Sequence, residues 1–143
     1  MNTPHVQSQR TPILLRGVLL FLALIAIDHV IKLFVVTRDI SHICNEGIAF
    51  GLTLPPLVFS VLWLILVILF LHFWFKNTLE SFRATLPFVL IVSGGVSNLL
   101  DRFVYGCVID YIPFLNISLF NFADFLISCG ALLLIVHGRE QKN

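Results

Sequence analysis

The run Leu57–Phe75 holds 19 residues, of which only Ser60 and His72 are polar. A backbone placed in hydrocarbon must satisfy every N–H and C=O within its own segment, so such a run can only be a helix. About 20 apolar residues cross the hydrocarbon core, so this stretch spans a membrane and the rest of the chain must suit that setting. Three more apolar runs do, at residues 11–37, 86–104 and 121–137. Composition agrees, with 58% hydrophobic and 12% charged residues and a mean hydropathy of +0.97. A soluble domain carries about 25% charged residues. The reading is an all-α membrane protein, a four-transmembrane-helix bundle forming one domain over residues 1–143.

Between the first and second runs the pattern breaks. Asn45-Glu46-Gly47-Ile48-Ala49-Phe50-Gly51 is followed by Pro55-Pro56. Such a loop cannot face lipid, which predicts a small extracytoplasmic β or loop cradle at the interface. Residues 1–10 are polar and expected to be disordered. The first run is too long for the apolar part of a cleavable signal and lacks a small-x-small site, so it is expected to stay as a span. Pro87 is placed in the first turn of the third span, where a missing N–H matters little. Ser93 and Ser97, four apart, offer close helix packing.

Four spans put both termini on one side. Arg10, Arg16, Lys76, Arg83, Arg139 and Lys142 fall on that side and Lys32, Arg38 and Arg102 on the other. The excess of cations predicts cytoplasmic termini. Six acids, Asp28, Asp39, Glu46, Asp101, Asp110 and Asp124, then collect toward the outer face. The net charge of +1 says nothing about nucleic acid, but there is no basic cluster to bind it, so none is expected as a partner. Three cysteines, Cys44, Cys107 and Cys129, are odd in number and lack Cys-x-x-Cys spacing. They are read as free thiols, with neither a disulfide framework nor a zinc site expected.

The chemistry concentrates in Asn98–Asp124. Charged groups beside hydrocarbon are costly and mark function. Asp110 follows the third span and Asp124 opens the fourth, so a connection that leaves and re-enters one membrane face can join them. Two carboxylates sharing a site divide one proton between them. The ionised one can then activate water while the protonated one serves as acid. The plainer reading is two helix-capping aspartates. Asn98 and Arg102, at i and i+4, share a helix face aimed at that pair, and Asn121 precedes Asp124 by one turn. Asp28 and Lys32 are also spaced i, i+4, as a salt bridge that ends the helix, a support of the site, or both. Asp101 reads as an interfacial anchor. There is no His-Glu-x-x-His, no metal-ligand cluster and no nucleophile elbow, so no metal and no cofactor are expected.

Asp28-x-x-x-Lys32, Asn45-x-Gly47-x-Ala49-Phe50, Asn98-x-x-Asp101-Arg102, Gly106-x-Val-x-Asp110 and Phe120-Asn121-x-Ala123-Asp124 resemble, in order, the motifs of the bacterial lipoprotein signal peptidases, signal peptidase II. The resemblance implies an aspartic endopeptidase that cuts diacylglyceryl-modified prolipoproteins just before the lipidated cysteine. It implies Asp110 and Asp124 as the catalytic dyad. Asn45, Gly47, Asn98, Arg102, Asn121 and Ala123 would bind or support substrate, and Asp28, Lys32 and Asp101 would support the structure. The partners implied are prolipoprotein signal peptides and membrane lipid. The place implied is the bacterial inner membrane, with the site near its outer face, and a monomer is assumed. Two departures are a short Asp110–Asp124 connection and Phe125 where a serine often stands. The alternative is a non-enzymatic membrane protein, an ion relay or a structural subunit, with the same polar belt.

Overall fold

A computed structural model describes residues 4–47, 82–114 and 118–140, and seven isolated helical positions between Val58 and His72. Most of the second expected span, and residues 48–56 of the loop before it, therefore lie outside the described residues. So do Ala49 and Phe50 of the cradle motif.

Helix α1 runs from Pro4 to Thr37 and includes Pro12. The polar residues 4–10 are thus helical, where disorder was expected. The helix stops at Asp39, whose φ of 54° turns the chain. Ile40 N–H donates to Val35 O at 3.0 Å and Asp39 N–H to Val36 O at 3.3 Å, the paired bonds of a Schellman end. Strand β1, Ile43–Asn45, follows.

Helix α2, Phe82–Tyr105, begins before residue 86, so Pro87 lies inside the helix and not in its first turn. It ends at Gly106, with φ of 79°, a left-handed geometry that glycine adopts without a Cβ penalty. Strand β2, Val108–Asp110, then pairs antiparallel with β1 in the register Ile43–Asp110, Cys44–Ile109, Asn45–Val108. Strands β3, Ile112–Phe114, and β4, Ser118–Phe120, pair with each other antiparallel. Helix α3, Phe122–Glu140, closes the described fold.

Among the described helices, α2 packs against both α1 and α3, which touch each other little. Two glycines allow the α2–α3 approach. A Cβ on Gly94 would collide with the Ala123 carbonyl, and one on Gly130 would stand 2.6 Å from Pro87 O and 2.7 Å from Ile91 Cγ1. Ser97, expected to serve close helix packing, is fully buried and turns its hydroxyl to Asp28 of α1.

The burial pattern is inverted relative to a soluble domain. Leu15, Leu19, Val30, Phe103 and Leu132 are exposed, while Asp28, Lys32, Asp101, Asp110 and Asn121 are buried. Apolar outside and polar inside is what lipid as solvent selects. Among the described residues, two helices, Pro12–Thr37 and Arg83–Tyr105, are long and apolar enough to cross a membrane, and Phe122–Val136 is a shorter apolar helix.

Candidate active site

The local fold at residue 121 decides where the carboxylates go. Asn121 caps α3: its Oδ1 accepts from Asp124 N–H at 2.9 Å, and its own N–H donates to Asp124 Oδ2 at 3.3 Å. This reciprocal pair is a capping box with aspartate in the third helical position. Asp124 is therefore a capping residue, as the plainer reading held, yet its other oxygen is free for the site. That oxygen, Oδ1, accepts from Asn98 Nδ2 at 2.8 Å.

The cap also reaches the other strand. Asn121 Nδ2 donates to Asp110 Oδ1 at 2.6 Å and to Asn98 Oδ1 at 3.1 Å. Asp110 Oδ2 accepts from Asn45 Nδ2 at 2.8 Å. One amide side chain thus links Asp110 on β2, Asp124 on α3 and Asn98 on α2. Asn45 takes the Gly47 N–H at 2.9 Å on its Oδ1, so its amide can only present donors to Asp110. Arg102 donates to the carbonyls of Asn98 at 3.1 Å and Gly47 at 2.7 Å, fastening the cradle to α2.

Beneath this layer lies a buried ionic cluster. Lys32 Nζ sits 2.7 Å from Asp28 Oδ2 and 2.6 Å from Asp101 Oδ2. It also donates to Asn98 Oδ1 at 3.3 Å. Asp101, expected as an interfacial anchor, is instead wholly enclosed. Its Oδ2 accepts the Ile109 N–H at 3.3 Å, and His29 Nδ1 stands 3.5 Å from its Oδ1. Asp28 accepts from Ser97 Oγ at 2.5 Å and from the Ala123 N–H at 3.0 Å. A carboxylate on a free N–H of the first turn complements the α3 dipole. Asp28, His29 and Asp101 carry donor atoms close enough to share a metal ion. The Lys32 ammonium already bridges the two carboxylates, so the cation there is the protein's own.

Electrostatics at the outer layer favour a retained proton. Burial pushes the Asp110 carboxyl above the ordinary carboxylate range, and Asp124 adds to the rise; the Asn45 and Asn121 amides and the Lys32 charge oppose it. Tyr111, pushed up to about 12 chiefly by burial, stays protonated; its hydroxyl oxygen accepts the Phe122 N–H at 3.3 Å. Two carboxylates held by shared amides, one disposed to keep a proton, can act as acid and base on a single water.

The expected residues Asp28, Lys32, Asn45, Gly47, Asn98, Asp101, Arg102, Asp110, Asn121, Ala123 and Asp124 all enter this one network. Ala123 does so through its backbone. Phe125 is exposed. Sequence reasoning missed Ser97, Tyr111 and one covalent link. Cys44 and Cys107 form a disulfide with Cα atoms 5.3 Å apart, which corrects the expectation of free thiols. Cys129 is free. An odd count hid the pair, although both partners sit in the non-helical stretches beside Asn45 and Asp110.

Fold and polar core together define an integral membrane protein of the kind seen in solved bacterial membrane enzymes. One such structure, determined by the in meso method, superposes with a TM-score of 0.78 at 22% identity, covering 90% of each chain. A second gives 0.74, also at 22% identity, over 85% of this chain and 91% of that one. The signal peptidase (SPase) II family profile matches residues 20–138. A lipoprotein signal peptidase of Halothermothrix orenii is 32% identical, over 85% of this chain and 93% of its own. One of Streptococcus thermophilus is 34% identical, over 83% and 80%. One of Helicobacter acinonychis is 41% identical, over 68% and 65%. The chain belongs to the signal peptidase II family and is a membrane protease. The relay and structural-subunit alternatives are not favoured.

Proposed function

We propose that this protease is an aspartic endopeptidase whose dyad is Asp110 and Asp124. Its substrates are diacylglyceryl-modified prolipoproteins, cut before the lipidated cysteine. The observation that carries the reading is Asn121, whose side-chain amide holds the Asp110 carboxylate while its backbone N–H holds the Asp124 carboxylate. Two carboxylates fixed by the same residue from different elements form one unit.

The ionised aspartate takes a proton from water, and the water oxygen attacks the scissile carbonyl. The protonated aspartate donates to the carbonyl oxygen as the tetrahedral intermediate forms. Collapse passes a proton to the leaving amine of the lipidated cysteine, and the signal peptide departs with a new carboxylate. Asn45 and Asn98, as neutral donors, hold the carboxylates without quenching the pair. Asn45–Gly47 and Arg102 build the wall along which substrate backbone lies, and Asp28, Lys32 and Asp101 hold the three helices at the right spacing.

The whole chain works as one four-span peptidase domain in the bacterial inner membrane, with both termini in the cytoplasm. The site lies near the outer surface, where a diacylglyceryl group stays in lipid while the peptide reaches the carboxylates. The chain acts as a monomer and needs neither metal nor cofactor. The test is mass spectrometry of products formed by the purified protein from a prolipoprotein with and without its diacylglyceryl group. The reading expects a mature product beginning at the lipidated cysteine, from the modified substrate. Cleavage elsewhere, or equal cleavage of the unmodified substrate, contradicts it.

A further inference from the structure

We propose that the Cys44–Cys107 disulfide is a positioning staple that holds Asn45 against Asp110, so that full turnover requires the bond to have formed outside the cytosol. This rests on the reading of Asp110 as a dyad member.

β1 and β2 share three residue pairs, and a lone two-stranded pairing is marginal in water. Side chains alternate across a strand, so Cys44 and Asn45 point to opposite faces of β1. On one face Cys44, opposite Ile109, reaches diagonally to Cys107. On the other, Asn45, opposite Val108, reaches diagonally to Asp110 at 2.8 Å. The covalent diagonal fixes the register on which the hydrogen-bonded diagonal depends. A slip of one residue would send Asn45 to the wrong face. Gly106, at φ 79°, turns the chain out of α2 so that Cys107, wholly buried, leads directly into β2. Cys44 is exposed, which gives a thiol–disulfide partner access to the bond.

Formation is a balanced exchange. The two thiols lose two protons and two electrons to a protein disulfide oxidant, which leaves as a dithiol. Such oxidants act on the extracytoplasmic side, while cytosolic thiols are kept reduced. A copy not yet inserted, or inserted the wrong way round, would therefore lack the staple.

The experiment uses the full-length protein purified in detergent, before and after a phosphine reductant, with a diacylglyceryl-modified prolipopeptide as substrate. Thiol titration is expected to find one free thiol before reduction and three after. Reduction is expected to lower kcat about tenfold or more, since small misplacements are costly in catalysis, and to raise KM as the Asn45–Gly47 wall loosens. Hydrogen exchange over residues 43–47 should speed up. Asn45→Ala, slowed at the outset, should lose little further on reduction, and the Cys44→Ser/Cys107→Ser pair should match the reduced enzyme.

Three free thiols before reduction overturn the proposal, as does unchanged exchange over residues 43–47 once the bond is broken. Equal fractional slowing of wild type and Asn45→Ala on reduction also overturns it, because the bond would then serve the fold at large. If the oxidised enzyme fails to cleave, or Asp110→Asn cleaves normally, the dyad reading fails and the staple as a catalytic device falls with it. Thiol count and exchange, which need no substrate, tell that outcome from failure of the staple itself.

Discussion

Asn121 donates its side-chain amide to Asp110 at 2.6 Å, from a residue whose first duty is to cap a helix. The same side chain therefore sets the helix start and the carboxylate geometry, and substitutions can separate the two. Asn121→Ser keeps a capping oxygen but removes the donor to Asp110. Its melting temperature is expected to stay near wild type while kcat falls about 10²-fold, the usual loss for one preorganised donor. Asn121→Ala loses both, with a further stability loss of about 1 kcal/mol from the missing cap. Thermal melts alongside steady-state kinetics check both.

Asn45 lowers the proton affinity of Asp110, and burial raises it more. Removing the amide in Asn45→Ala is expected to shift the Asp110 limb of the kcat/KM pH profile to higher pH, with a lower maximum. Folded Asp110 binds its proton more tightly than in the unfolded chain, so its contribution is fully present below the unfolded value and is lost as pH rises through the folded one. Melting temperature against pH should fall across that window in wild type and fall less in Asp110→Asn.

Gly94 lies against the Ala123 carbonyl, one residue before Asp124, whereas Gly130 lies against Pro87 and Ile91, away from the site. Overpacking costs about 1–3 kcal/mol, so Gly94→Ala and Gly130→Ala should both lower the melting temperature. Only Gly94→Ala should also lower kcat per folded molecule, which active-site titration would show.

Lys32 bridges Asp28 and Asp101 with no access to solvent. Removing one partner of a buried ionic set costs about 3–5 kcal/mol through the charge left behind. Lys32→Met is expected to fold poorly, and the pair Lys32→Met/Asp101→Asn to recover part of the loss. A double-mutant cycle on melting free energies measures the coupling.

The sequence made the helical membrane class plain because hydrocarbon permits few alternatives. It made the polar residues stand out because charge in an apolar chain is conspicuous. Asp110 and Asp124 could be paired from the short connection alone. Their amide links could not, since Asn121 reaches Asp110 only because β2 ends beside the α3 cap, a tertiary relation. Asp101 looked like an anchor because its spacing cannot reveal that α1 brings Lys32 to it. The Cys44–Cys107 bond depends on a strand register set between segments 63 residues apart, and local pattern carries no trace of that. Residues 4–10 were expected to be disordered from polarity, yet they continue the helix nucleated by the apolar run behind them.

The most direct measurement is cleavage of a diacylglyceryl-modified prolipoprotein by wild type, Asp110→Asn and Asp124→Asn, with folding of each verified by melting. Wild type is expected to turn over, with losses of at least about 10³-fold in both variants, since each removes one member of a single catalytic unit. Wild-type turnover by either folded variant would remove that residue from the chemistry and contradict the dyad.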